Sequence, residues 1–431
     1  MIEIDLPSDQ INTENAFKDK RTALSALSNL YINLRESSLF SGNQQGIGAV
    51  LGLYTDELKS LVSTSTSENF LIYHNMLDPT RYTISNLWNT SYSHIYAINS
   101  FIKGVQESQG IDEKDKKQLI SEVYILRALY YQALAQIFGD IPYTESTNYK
   151  ENTFIKKTPV LQVYQNIEKD LLSAENILST TYRSPDKYYP NKAVAQLLLA
   201  KNYLLTKQYD KAEFYANELL NNPFYALESN VLKVFKKTAT STIWQLSNSS
   251  NTAPTYEAGT YIIFVTQPST ALSPTLFNTY DSIDQRKINW IATHDPTGNL
   301  FAYKYKNRLD NPDECSVIFR IEEAFFILAE ALIYQNKEKQ AIGYINTIRQ
   351  RAGLAKLPDT LTKEQTILAM LSEGQKEFFL EHGRRFFDLK RNNKLSLLKT
   401  SKPNWQDKHA LFPYPEKELL INPNLNPQNE Y

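Results

Sequence analysis

The sequence predicts a mostly α-helical chain, in which four helix pairs of the tetratricopeptide (TPR) type form a scaffold carrying one small strand- and loop-rich insertion. Three observations predict it. Val317 to Leu354 reads as two helices joined by a polar turn at Gln335 to Lys339. Ile321, Phe325, Leu328, Ala329 and Leu332 recur at three- and four-residue spacing on the first, and Ala341, Ile345 and Ile348 on the second. The same register occurs 129 residues earlier, with Ala200 for Ala329, Ala212 for Ala341, Tyr215 for Tyr344 and Asn217 for Asn346. Small residues at that spacing let two helix backbones approach at a crossing, as in a TPR unit. Between Val231 and Asn311 the helical period disappears, and short apolar runs stand among Ser, Thr, Asn, Pro and Gly.

In chain order, residues 1–15 are polar and extended in character. Ala16 to Leu34 carries Leu24, Leu27, Leu30 and Tyr31 on one helical face. Arg35 to Gly52 holds four glycines and little apolar periodicity, so it reads as a loose segment, and Leu53 to Leu58 as a short turn-like run. Leu87, Trp88, Ile95, Ile98 and Ile102 define a helix from Ile84 to Val105. Asp112 caps the next one, which stops at Gly139-Asp140-Ile141-Pro142. Pro159 opens a helix carrying Val163, Tyr164, Ile167 and Leu171, and the first TPR-like pair spans Asn191 to Asn221. Within the insertion, Ile243 to Leu246 and Tyr261 to Val265 read as strands. A long irregular block in a rigid scaffold is where binding is expected. A last helix is expected over Lys363 to Arg391. From Ser401 follows a tail with five prolines and five asparagines, read as an extended strap. Residues 1–431 read as a single domain.

Composition removes several functions. Forty-six Lys and Arg against 47 Asp and Glu leave a net charge of −1, without the basic excess that nucleic-acid binding needs. Cys315 is the only cysteine, so no internal disulfide forms. No apolar run approaches the ~20 residues of a membrane span. His74, His94, His294, His382 and His409 lack ligand spacing, so no zinc site and no cofactor are expected. Gly46-Ile47-Gly48 lacks the frame of a phosphate loop, and no Gly-x-Ser-x-Gly nucleophile motif is present. Asp281, Asp284 and Asp295 offer carboxylates for glycoside hydrolysis, but such acids are common in loops. Glu377, Glu381, Arg384, Arg385, Asp388 and Arg391 read as surface or half-buried ion pairs along one helix instead of a catalytic cluster. An enzyme is therefore the weaker class, and no catalytic residue is assigned.

A binding protein fits better. The chain has 28 tyrosines, and tyrosine presents a flat apolar face with a polar tip. Sugar rings stack on such faces while amides and acids meet the hydroxyls. The candidates in irregular stretches are Asn43, Tyr54, Asp56, Tyr73, Asn75, Tyr256, Tyr261 and Trp290. Trp88 and Trp244 sit in apolar registers and read as core.

Several stretches in order carry a family resemblance. They are Ala128 to Tyr131 through Phe138-Gly139-Asp140-Ile141-Pro142-Tyr143, Val163-Tyr164 through Asp170-Leu171, Arg320 with Ala329-Glu330-Ala331, and Arg349 to Gly353. The most specific is EFFLEHGRRFFDLKR, Glu377 to Arg391; the tail from Phe412 to Tyr431 completes the set. Together they resemble the SusD/RagB family of outer-membrane nutrient-binding lipoproteins. The resemblance implies a SusD-like fold, with Glu377 to Arg391 as a scaffold signature. It implies a SusC-like TonB-dependent transporter as partner, over which the chain sits as a lid. It also implies a cell-surface position through an N-terminal lipid anchor, whose signal peptide and acceptor cysteine would precede Met1. The expected ligand is an oligosaccharide, with oligopeptide as the alternative. The rival class is a TPR adaptor, whose repeats would follow one another every ~34 residues.

Overall fold

The computed structural model describes residues 16–431. Helix α1 (Lys20–Glu36) begins in a capping box: the Asp19 carboxylate accepts the Thr22 N–H at 2.9 Å, and the Thr22 hydroxyl accepts the Asp19 N–H at 3.2 Å. Then come α2 (Ile47–Tyr54), strand β1 (Leu58–Ser60), α3 (Glu68–Tyr73) and the long α4 (Tyr82–Glu107). Asp112 caps α5 (Glu113–Phe138) as expected, 2.8 Å from the Asp115 nitrogen, and Gly139 ends it at φ 80°. The chain continues through α6 (Tyr149–Asn152), α7 (Val160–Ile177), α8 (Lys192–Leu205) and α9 (Tyr209–Leu220).

The irregular block then holds β2 (Thr242–Leu246), α10 (Tyr256–Tyr261), β3 (Thr270–Leu272), α11 (Pro274–Phe277), α12 (Gln285–Trp290), β4 (Ile291–His294) and β5 (Asn299–Ala302). Strand β6 (Ser316–Arg320) pairs antiparallel with β2, from Thr242 opposite Arg320 to Leu246 opposite Ser316, and so clamps the base of the insertion. Helices α13 (Glu322–Tyr334), α14 (Glu338–Arg351), α15 (Lys363–Phe378), α16 (Arg384–Arg391) and α17 (Glu416–Ile421) complete the chain.

The fold is mostly helical, and its helices pack in sequence: α4 on α5, α5 on α7, then α8, α9, α13 and α14, each on the one before. The TPR-like units 129 residues apart therefore meet in space. Tyr209 stacks on Tyr334 with centroids 4.8 Å apart, and Gln335 and Lys337 both donate to the Glu213 carboxylate. The chain leaves the scaffold after α9, builds the insertion and returns to the same edge. Between α5 and α7, Arg127 forks onto Asp170 through two 2.7 Å bonds, both side chains buried. One contiguous apolar core runs from Ala23 to Leu425. Among the described residues no helix is long and apolar enough to cross a membrane.

Ala200 and Ala212, on touching helices, are both fully buried. Ala200→Phe is expected to destabilise the fold by about 1–3 kcal/mol through overpacking, read as a lower urea midpoint.

Five expectations are corrected. The glycine-bearing stretch before Leu53 is irregular only as far as residue 46: from Ile47 it forms α2, a helix with all eight residues buried. Residues 316–320 extend as β6, so the helix expected from Val317 starts at Glu322. Tyr261 ends a short helix instead of opening a strand. The helix expected over Lys363 to Arg391 breaks after Phe378, where Leu380, His382 and Gly383 take φ of 62°, 49° and 70°. The turn lets Glu381 point to Arg320 and Lys304, which a straight helix would not. Finally, the tail is more built than a strap. Phe412, Tyr414 and Leu425 are buried, and the Phe412 N–H, the Tyr414 hydroxyl and the Asn429 amide donate to the carbonyls of Ile137, Asp140 and Phe138 at the end of α5.

Candidate ligand-binding face

A buried charge network fixes the insertion to the scaffold. Arg286 on α12, Arg320 at the end of β6 and Arg351 at the end of α14 converge on the Glu377 carboxylate, the first two at 3.2 and 2.6 Å. Arg286 also bonds Asp284 and Glu373 at 2.8 and 2.5 Å. Arg320 forks onto Glu381 through two 2.9 Å bonds, and the Lys304 ammonium reaches the same carboxylate at 2.5 Å. Burial opposes ionisation of Glu377, but Arg351, Arg320 and Arg286 outweigh it and hold its carboxyl far below the ordinary range. Of the charged motif, Glu377 and Arg384 are buried and Glu381, Arg385, Asp388 and Arg391 half-buried, and most of its bonds join different elements instead of lying along one helix. Arg384 to Asp388 and Asp388 to Arg391 are pairs within one helix. Asp284 caps α12 and pairs with Arg286, so it is not free for acid–base chemistry, whereas Asp281 and Asp295 are exposed.

Glu57 lies at the edge of this network, accepting the Leu380 N–H at 3.2 Å. Burial, with Asp56 adding to it, pushes its carboxyl from 4.5 up to about 8. In that window the unfolded chain releases the proton while the folded chain keeps it, so this group's contribution to stability falls as pH rises. Glu57→Gln is therefore expected to gain on wild type, by about 1 kcal/mol at pH 5 rising to about 3 kcal/mol at pH 7, in urea unfolding.

Outside the main core the insertion builds a second, smaller one. β1 pairs with β3, and β4 with β5 in a hairpin from Ile291 opposite Ala302 to His294 opposite Asn299. Ile263, Ala271 and Phe301 form an apolar cluster beneath, with Leu61, Ile262, Ala292 and Tyr303 packed against it. Over this platform run exposed segments at 63–66 and 264–267. Phe264 is 57% exposed, and the Arg308 guanidinium lies 3.1 Å above its ring centroid. Unlike Arg286, Arg320 and Arg351, Arg308 has no carboxylate partner among the described residues, and its buried Nε has no hydrogen-bond acceptor. Beside it in sequence, the Lys306 ammonium sits 3.9 Å over the Tyr303 ring. A half-open cation on an exposed aromatic ring offers stacking surface and unspent donors in one place.

Two family descriptions match the chain: "Starch-binding associating with outer membrane" over residues 13–204, and "SusD family" over residues 299–431. The chain belongs to the SusD/RagB family. SusD-like protein P2 of Formosa agariphila is 25% identical over 413 residues, with 80% of each chain covered. A SusD superfamily structure from Bacteroides vulgatus superposes with a TM-score of 0.82 at 22% identity, covering 96% of this chain and 99% of that one. Surface glycan-binding protein A of Bacteroides thetaiotaomicron, in complex with laminarihexaose, does so with a TM-score of 0.79 at 18% identity, covering 95% and 99%. These likenesses carry the SusD fold. The stretch between the two family matches, 205–298, holds Phe264 and most of the insertion.

In this SusD-family chain the residues expected to touch ligand are scattered. Four are corrected because they have no surface to offer. Trp290 is 0% exposed and its indole N–H donates to the Val231 carbonyl at 2.9 Å. Tyr54 is enclosed by Phe386, Trp405 and Phe412. Asp56 is buried and forks with Arg385 at 2.9 and 2.8 Å. Asn75 is buried and donates to the Tyr54 carbonyl at 2.9 Å. Tyr73 is half-buried, with the Lys402 ammonium 3.7 Å over its ring. Tyr261 is half-buried and lines a small enclosed cavity with Glu257, Lys304 and His382. Asn43 and Tyr256 are the pair brought together: the Asn43 amide donates to the Glu36 carbonyl at 3.0 Å, and the Tyr256 hydroxyl donates to the Glu36 carboxylate. Sequence reasoning missed Phe264, Tyr303 and Arg308. The available signal was the alternation of aromatics and cations in Tyr303-Lys304-Tyr305-Lys306-Asn307-Arg308.

Proposed function

We propose that this chain is a non-catalytic cell-surface protein that captures oligosaccharides on the Arg308–Phe264 face and delivers them to a SusC-like TonB-dependent transporter in the outer membrane. The observation that carries the reading is the uncommitted Arg308 guanidinium stacked on exposed Phe264. A pyranose ring presents an apolar C–H face to an aromatic ring, and its hydroxyls accept from guanidinium N–H groups. The exposed Ser63-Thr64-Ser65-Thr66 segment, which follows β1, adds hydroxyls to the same strand-bearing unit. The laminarihexaose complex of a protein with this fold supports the ligand class, and the family description supports the outer-membrane setting. Anchoring by a lipid on a cysteine upstream of Met1 belongs to the same proposal.

Calorimetry against a panel of glycans and a tryptic peptide mixture tests it. Arg308→Ala is expected to weaken glycan binding roughly tenfold, about 1.4 kcal/mol, without lowering Tm, because Arg308 supports no buried partner. Heat from peptides alone, undiminished by Arg308→Ala, would replace glycan by peptide. Release of shortened products from a glycan would restore catalysis. For the partner, a large β-barrel should co-purify from native membranes.

A further inference from the structure

A separate groove of about 350 Å³ opens between α4, the loop at 142–155 and α17. Its walls are fixed by their own hydrogen bonds. The Tyr92 hydroxyl donates to the Pro142 carbonyl at 2.8 Å, and Asn99 and Tyr131 hold the Thr144 carbonyl at 2.9 and 3.0 Å. The Asn152 and Asn422 amides donate to the carbonyls of Ser146 and Ile155 at 2.9 and 2.8 Å. Three lining groups remain uncommitted. Tyr96 is 51% exposed, Asn89 is exposed, and the half-buried Glu418 carboxylate has no side-chain partner among the described residues. Burial alone pushes the Glu418 carboxyl up from its ordinary value. No lysine, arginine or histidine lines the groove.

We propose that this groove is a second glycan site, distinct from the Arg308 face, which takes a short neutral oligosaccharide by stacking on Tyr96 and hydroxyl donation to Glu418. The volume falls in the range of small-ligand pockets. A carboxylate without a cation asks for donors, and sugar hydroxyls supply them; it repels uronates and sulfated sugars. The preformed walls reduce the ordering that binding would otherwise require. Thr144, Ser146 and Asn152 also line the groove, but their hydroxyl and amide donors are spent on one another, on Glu151 and on the Ser146 carbonyl, so recognition falls to Asn89, Tyr96 and Glu418.

Fluorine NMR of the full chain labelled with 5-fluorotryptophan tests this directly. Of the four tryptophans, Trp88 lines the groove, while Trp244, Trp290 and Trp405 are buried elsewhere. Laminarihexaose and maltohexaose are the probes, and Trp88→Phe assigns the resonance. At least one hexasaccharide should shift the Trp88 signal saturably, and Glu418→Gln and Tyr96→Ala should each weaken that response roughly tenfold. Arg308→Ala should leave it unchanged while reducing the calorimetric heat, which separates the two sites. A Trp88 signal indifferent to both hexasaccharides, or a shift undiminished by either groove variant, would overturn the proposal whatever becomes of the Arg308 face.

Discussion

Glu377→Ala is expected to cost about 3–5 kcal/mol of folding stability, the range for removing one member of a buried charge network. Its carboxylate accepts from three guanidiniums, and the side chains of Arg286, Arg320 and Arg351 are 0–3% exposed. Alanine would leave three cations with fewer anions: Asp284 and Glu373 for Arg286, Glu381 for Arg320, and Glu322 shared by Arg320 and Arg351. A network of this kind adds little net stability over an apolar core, but losing one partner exposes the desolvation penalty of the others. Because Glu377 is held far below the ordinary carboxylate range, its contribution is present above the unfolded value and lost only as pH falls through the lowered folded one. Glu377→Gln keeps the shape and one acceptor oxygen, so an intermediate loss is expected. Urea unfolding at neutral pH measures both. A loss under about 1 kcal/mol for the alanine variant would mean that water screens the network. Limited proteolysis should locate the damage in 231–320, since α12 and β6 are held there by Arg286 and Arg320.

The scaffold was legible because its signals are local. The alanines at 200, 212, 329 and 341 mark crossings between helices adjacent in sequence, the Asp112 cap acts within one turn, and the structure places them as expected. What was not legible depended on partners distant in sequence. The Glu377 to Arg391 motif looks amphipathic and solvated when read along one helix. Its first acid, Glu377, is buried because Arg286, Arg320 and Arg351 arrive from three other elements. Trp290 and Tyr54 stood in stretches of low periodicity, which suggested surface, yet each is enclosed by residues far along the chain. The proposed ligand face was hidden for the same reason. Phe264 and Arg308 lie 44 residues apart, and neither carries a spacing that announces the stack. The glycines before Leu53 misled in the opposite direction, since a residue that loosens a loop also permits the closest packing.

That closeness yields the second large effect. Gly48 lies in the first turn of α2, where a Cβ would stand 2.7 Å from the Leu380 carbonyl oxygen and 3.0 Å from the Tyr261 hydroxyl. Leu380 and His382 are held at positive φ in the turn between α15 and α16, so the carbonyl cannot retreat without disturbing residues already strained. Gly48→Val is therefore expected to lose about 3 kcal/mol, the upper end of the usual overpacking range. Two other glycines calibrate the claim. At Gly52 the nearest atom is the end of the Leu380 side chain, at 2.6 Å, which can rotate away, so Gly52→Ala should be milder than Gly48→Ala. At Gly343 in α14 a Cβ would meet nothing within 4 Å. Gly343→Ala is expected to stabilise by about 0.5–1 kcal/mol, as alanine does in an open helix position. Urea midpoints for the four variants should thus rank Gly343→Ala, Gly52→Ala, Gly48→Ala, Gly48→Val from most to least stable. A Gly48→Val protein as stable as wild type would show that α2 does not press on the turn, and that Leu380 and His382 owe their conformation to something other than this contact.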